Sequence, residues 1–282
     1  MNNINVSKAQ GIRQIVKSNG INFAQTFSNR HISEVNNPNG TINMKIHNVF
    51  IAALGPEIQY YTSLVRSLDS SLGNMLERMA LSIAELRYTV TKSVDGYLYP
   101  EQNQIISSLL EGYKNSKNPL KPKLEHYAEI DAASSTYRTD KTIDRTSFYK
   151  THVSDYCFYD KGAKDYYIIE LKIGGDLDNK KARSEKEAIF EQYAILKNIL
   201  EPDANVTCYF ATAYNRFGEG ELWQQGRVRQ FFCEEELLIG KDFWDFVCDS
   251  SEGYNVVIDE YKKNAHHILN ALNDIKVTYL GD

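Results

Sequence analysis

Two carboxylates and one ammonium are spaced in this chain as a hydrolytic metal site would need them. They lie in neighbouring segments, Ser154-Asp155-Tyr156-Cys157-Phe158-Tyr159-Asp160 and Tyr166-Tyr167-Ile168-Ile169-Glu170-Leu171-Lys172. Glu170 and Lys172 are two apart, so on a strand they share one face, ~7 Å from each other. Asp155 joins them if the segments form a hairpin closed by Asp160 with Asp165. It then falls directly opposite Glu170, with Cβ atoms ~5 Å apart. Asp160 would sit at the turn, ~17 Å further along the strand. Carboxylate oxygens suit Mg²⁺, with Mn²⁺ as a substitute. Such a cation neutralises charge on a phosphodiester under attack, and a neighbouring Lys can orient or deprotonate the attacking water. Glu-x-Lys alone is common on solvated sheet faces as a weak ion pair. Here the flanking residues are strongly apolar and Asp155 occupies the matching position, which favours the chemistry.

The elements that must hold these residues are legible around them. Thr151–Tyr159 and Tyr166–Ile173 read as strands, with a turn at Asp160-Lys161-Gly162-Ala163. Gly174-Gly175 ends the second strand and would leave room for a backbone phosphate. Asp178 can cap a helix from Asn179 to about Leu200, and Val206–Tyr214 reads as a further strand. Upstream the chain reads mainly helical. Helices are expected over Ile42–Leu54, from Pro56 to Leu68, over Ser71–Tyr88 behind a cap at Asp69 or Ser70, and from Pro100 to Tyr113. A last helix is expected over Asn255–Ile275. The sum is an α/β (α+β) fold: a central mixed β-sheet flanked by helices, with a helical N-terminal region. Residues 1–68 form that region, suited to DNA contact or dimerisation. Residues 69–282 form the catalytic domain with recognition and helical elements after it.

The chain has 282 residues, 42% of them hydrophobic, enough for a substantial core. Cys157, Cys208, Cys233 and Cys248 show no metal-binding or disulfide spacing and read as reduced, mostly buried thiols. The N-terminus lacks a signal-peptide core, and the longest apolar run, Val49–Leu54, is too short for a membrane span. A cytoplasmic protein with no membrane association is expected. The net charge of -5 argues at first against nucleic acid. Its distribution does not: residues 1–66 carry six basic side chains and two acidic ones, and Lys114–Lys123 holds four lysines and no acid. Nucleic-acid contact depends on local basic surface rather than net charge.

Asp155, Glu170-Leu171-Lys172 and the capped helix after them resemble the PD-(D/E)XK nuclease core, with Ser154 where the usual Pro stands. The run from Glu170 to Lys186 looks like the TdeIII family of type II restriction endonucleases. So do Phe210-Ala-Thr-Ala-Tyr-Asn-Arg-Phe-Gly-Glu-Gly220 and Leu238-Ile-Gly-Lys-Asp-Phe-Trp-Asp-Phe246. The likeness covers roughly the second half of the chain. It implies a homodimer that cleaves double-stranded DNA at a short GC-rich palindrome, of GGNCC type. It also implies a cognate DNA methyltransferase that protects host DNA. A repair nuclease or junction resolvase of the same fold, and a DNA-binding protein with a decayed site, are the competing readings.

A fourth acid often joins this core from a preceding helix. Glu77 is the candidate and Glu85 the second choice, against the plainer reading of a surface Glu. Gln192 could support the attacking water or a phosphate, or simply be solvated. Lys180, Lys181 and Arg183 at the helix start could meet phosphates. Asn215, Arg216, Gln224, Gln225, Arg227 and Arg229 are the base-reading candidates, since Arg and Asn or Gln suit guanine and adenine edges.

Overall fold

The computed structural model describes residues 4–115, 117–139 and 142–281. It begins with helix α1 (Val6–Ser33), a 3₁₀ turn (Asn43–His47), α2 (Val49–Ala52) and α3 (Pro56–Ala84). Strand β1 (Thr89–Tyr97) follows, then α4 (Pro100–Lys114), α5 (Glu125–Ala132) and α6 (Ser135–Thr139). Next come β2 (Tyr149–Asp160), β3 (Asp165–Leu171), α7 (Asn179–Ile199) and β4 (Asn205–Thr212). The chain finishes with α8 (Gly226–Arg229), β5 (Leu237–Ile239), α9 (Lys241–Val247) and α10 (Gly253–Leu280).

The chain forms two compact units. Residues 1–83 and 248–282 make a helical unit, and residues 84–247 a sheet unit. In the helical unit, Phe23 and Phe27 of α1, Tyr60, Leu64 and Met75 of α3, and Ile268, Ala271 and Ile275 of α10 share one core. The expected boundary at residue 68 falls inside continuous α3. Asp69 and Ser70 do not cap a new helix, because the buried stripe Tyr60, Leu64, Met75, Met79, Ile83 runs past them on one face. Mid-helix Asp and Ser cost only a few tenths of a kcal/mol each, less than one such apolar contact contributes. The helix expected over Ile42–Leu54 is broken for the converse reason. The Asn48 side chain accepts from the N–H groups of Phe50 and Ile51, so it starts a new turn instead of continuing the old one.

The sheet unit is a five-stranded mixed sheet in the order β1-β2-β3-β4-β5. β1, β2 and β3 pair antiparallel, and β3, β4 and β5 parallel. The β2–β3 hairpin has the expected register, closed by Asp160 opposite Asp165 and running to Tyr156 opposite Ile169. One sheet face carries Phe158, Tyr167 and Tyr209, whose rings pack on Phe246 of α9. The other carries Cys157, Ile168, Cys208 and Phe210, which form the main core with Ile189, Phe190 and Tyr193 of α7. β1 is an edge strand with four of its nine residues exposed and two buried, so it carries no strong sequence signal.

Helix α7 is fastened by a buried ion pair. Lys186 and Glu236 are both 0% exposed, and the Lys186 ammonium contacts the Glu236 carboxylate. Nζ also lies 4.8, 4.2 and 4.9 Å from the ring centroids of Tyr127, Phe190 and Phe232. Glu236 accepts from the Tyr127 hydroxyl at 2.5 Å and from the Cys233 N–H at 2.9 Å. Removing one partner strands a buried charge, so Glu236→Leu should cost about 3–5 kcal/mol of stability. The double variant Lys186→Met/Glu236→Leu should recover most of that loss. Denaturant unfolding of the three proteins checks it: a double variant no more stable than the single one contradicts this account.

Candidate active site

Asp155 lies beside a bulge. Between the pairs Thr91–Cys157 and Ser93–Val153, three residues of β2 face one of β1. Such irregularities bend a strand and re-aim its side chains. Asp155 lies in this stretch, and its Oδ2 accepts from the N–H of Leu171 at 3.0 Å. The β3 backbone thus fixes its carboxylate beside Glu170, which shares a sheet face with Ile168 and points toward α7. Lys172 follows β3 directly and donates its N–H to the carbonyl of Ala211 on β4 at 2.9 Å.

The three side chains meet. Lys172 Nζ lies 2.6 Å from Glu170 Oε1 and 3.6 Å from Asp155 Oδ2. A third carboxylate joins from α7, with Glu185 Oε2 at 3.3 Å. Burial would lower the Lys172 pKa, but Glu170, Asp155 and Glu185 outweigh it and hold the ammonium above its ordinary range. Glu170 is only 7% exposed. Burial pushes its carboxyl up to about 9, helped by Asp155 and opposed by Lys172. A carboxyl in that state ionises readily only beside a cation.

The donor set is all oxygen from Asp and Glu, which suits a hard divalent cation. Among the described residues no group of three or more His, Cys, Asp or Glu forms a metal cage. Mg²⁺ does not require one, since it binds through one or two carboxylates and keeps several waters. Asp155 and Glu170 fit that demand.

The remaining expected site residues are spread over both units. Glu77 belongs to the helical unit, and Glu85 is exposed just after α3. An acid that meets Lys172 from α7 is Glu185, which is not among the expected site residues. Its signal was an acid on the α7 face that also carries Ile189, the face turned to the sheet. Gln192 is fully buried rather than solvated, and its amide N and O have no partner among the described residues. Lys180 and Lys181 are exposed in the first turn of α7. Arg183 pairs with Glu111 at 3.1 Å and Glu187 at 3.2 Å. Asp178 caps α7, accepting from the Lys181 N–H at 2.8 Å.

At Gly174-Gly175 side chains close over the backbone. A Cβ on Gly174 would lie 2.5 Å from the Tyr214 hydroxyl, and one on Gly175 would lie 2.7 Å from Thr212 and 2.9 Å from Trp223. The glycines let the chain pass under these side chains, and Gly175 adopts φ +63° to do so. The region after β4 is mostly loop, with α8 a single turn. Asn215 donates to the Glu221 carbonyl at 2.7 Å. Asp176 holds Arg216 at 2.6 Å and Gln225 at 3.1 Å. Arg229 pairs with Glu234, and Gln224 and Arg227 are exposed.

Residues 9–265 match the family model described as "Type II restriction endonuclease, HinfI". The chain belongs to the HinfI family of type II restriction endonucleases. It is therefore a site-specific deoxyribonuclease whose substrate is DNA, and its mixed sheet flanked by helices agrees with a restriction endonuclease fold. The family matched is HinfI, not the TdeIII family that the local motifs resemble. No curated protein and no solved structure matches the chain. No helix among the described residues is long and apolar enough to cross a membrane.

Asp160 serves the fold instead. It is buried, and both its oxygens accept from Arg87, one of them at 3.1 Å. Asp160→Asn should lower stability by about 1–2 kcal/mol and leave cleavage near the wild-type rate. Asp155→Asn should do the reverse, abolishing cleavage with little loss of stability. Melting curves and a plasmid cleavage assay on both variants separate the roles. An inactive Asp160→Asn beside an active Asp155→Asn would move the site to the turn.

Proposed function

We propose that the chain is a Mg²⁺-dependent endonuclease with a PD-(D/E)XK-type site, in which Asp155, Glu170 and Lys172 act with Glu185. The observation that carries this reading is the convergence of two carboxylates on the Lys172 ammonium, 2.6 and 3.6 Å away, at the carboxyl end of β3. Asp155 and Glu170 would hold the cation, which when bound supplies charge neutralisation at the scissile phosphate. Lys172 Nζ would orient the attacking water and steady the phosphate. Glu185 keeps that ammonium in place. The water oxygen forms a new bond to phosphorus and gives up a proton to solvent, the bond to the leaving oxygen breaks, and that oxygen takes up a proton from solvent. Cleavage should proceed with Mg²⁺ or Mn²⁺ and stop in chelator, while Ca²⁺ should support binding with little cutting. Full activity in excess EDTA would sink the metal assignment.

The target is a short palindrome in duplex DNA, protected in the host by a cognate methyltransferase, and the enzyme works in the cytoplasm. Sequencing the ends of digested phage DNA reads the site directly. A GGNCC pattern would support the TdeIII likeness, and any other pattern would remove it. Structure-dependent cutting without a sequence preference would favour a repair nuclease or resolvase. Arg227, exposed beside the Asp176–Arg216–Gln225 cluster, is assigned to base readout with Arg216 and Asn215. Lys180 and Lys181 are assigned to backbone phosphates.

Two strands of a palindrome are most simply cut by a twofold dimer. The helical unit offers apolar surface for one. Met44, Ile46, Val49, Phe50 and Leu54 are each at least half exposed, Phe50 by 84%. Exposed apolar clusters of this kind mark association surfaces. Light scattering should show two protomers on one DNA site, and Phe50→Glu should shift the enzyme toward monomer. One protomer per cleaved wild-type site would rule the dimer out.

A further inference from the structure

The helical unit contains a basic cavity that the cutting chemistry does not use. Its volume is about 350 Å³, and Arg30 of α1, Lys45 of the 3₁₀ turn and Arg66, Ser70 and Ser71 of α3 line it. A second cavity of about 200 Å³ shares Arg30 and Ser71 and extends to Asn74 and Arg78. On α3, Arg66, Ser70, Asn74 and Arg78 are four residues apart in succession, so they form one stripe along the helix. From Arg66 to Arg78 that stripe is ~18 Å long at 1.5 Å per residue.

The stripe is chemically one-sided. Cations stand at both ends, hydroxyl and amide groups lie between, and no acid lines either cavity. Arg30 shares its charge with Glu34 at 3.5 Å and donates to Thr41 at 3.1 Å. Lys45 and Arg66 make no ion pair among the described residues, and Arg78 bonds only the Asn74 carbonyl there, at 3.2 Å. Ser70 and Ser71 make no side-chain hydrogen bond among the described residues. Ordinary solvated lysines and arginines would not be gathered around a shared concavity with free hydroxyls. Spaced cations with hydroxyl donors between them match a row of phosphodiester oxygens, which take most polar contacts in protein–DNA interfaces.

We infer that this groove holds the DNA sugar–phosphate backbone, so that the helical unit contributes sequence-independent affinity. The inference rests on the endonuclease reading above and adds to it a second DNA-binding surface, outside the cutting site. Three of the six basic side chains of residues 1–66, Arg30, Lys45 and Arg66, stand in this groove.

The test is the salt dependence of binding, measured by fluorescence anisotropy in Ca²⁺ on a duplex with the cleavage site and on a random duplex. Removing one cation that neutralises a phosphate reduces the slope of log K against log [salt] by ~0.9. Lys45→Gln/Arg66→Gln should therefore flatten the slope by about two and weaken both duplexes alike, with an unchanged melting temperature. Lys262→Gln/Lys276→Gln removes the same charge from exposed positions on α10 and should leave the slope unmoved. An unchanged slope in the groove variant, an equal change in the α10 variant, or weakening confined to the site-bearing duplex each overturns the inference. Those results leave the endonuclease reading standing. A wild-type enzyme that neither binds nor cuts any duplex would defeat that reading, and this inference with it.

Discussion

Lys186 and Glu236, a charge pair sealed among three aromatic rings, set the rotation of α7 about its own axis. An ammonium cannot leave a partner that is its main compensation for lost hydration. Lys186 therefore cannot turn outward, and its neighbour Glu185 cannot turn away from Lys172. A single interaction in the core thus decides which acid of α7 reaches the site. It also joins α7 to α5 through Tyr127 and to the segment before β5 through Glu236. The sheet could form without this pair, but the third carboxylate would lose its fixed place.

The site itself is held in electrostatic tension. Asp155 and Glu170 repel one another, and Glu170 is too buried to ionise cheaply. Lys172 offsets both effects in the free protein. A divalent cation would do so more strongly and would release the lysine toward water and phosphate. The bulge in β2 completes the arrangement, because a regular strand would tie this stretch of backbone into the ladder with β1. Groups arranged this way favour ligand capture over stability, a common trade at active sites.

How much of this was legible in the sequence depended on the range of the signal. The hairpin register could be read because the turn residues and the apolar runs of both strands are local, and one wrong step would have turned Ile168 outward. Asp178 and Pro100 likewise announced the starts of α7 and α4. Contacts that join distant segments could not be read. Glu185 lies only 13 residues beyond Lys172, yet its role depends on how α7 is rotated, which Glu236 decides. The burial of Gln192 is hidden for the same reason: its neighbours on the helix look polar, yet the side chain is fully enclosed. At Asp69 and Ser70 the local capping signal was real and was overridden by a buried stripe. At Gly174-Gly175 the glycines are plain in the sequence, but Tyr214 and Trp223, which crowd them, arrive 40 and more residues later.

The helical unit draws on both halves of the chain, with α1 packed against α10. Between Ser33 and Gly253 the ribosome must add every residue of the sheet unit. At typical rates of 5–20 residues per second, that delay is on the order of ten seconds or more. Through that interval α1 has no α10 to bury Phe23 and Phe27 against. The sheet unit, contiguous from residue 84 to 247, can meanwhile collapse on its own core. The sheet unit can therefore take shape before the helical unit is complete, and the proposed phosphate groove would gain the core behind it only when α10 arrives.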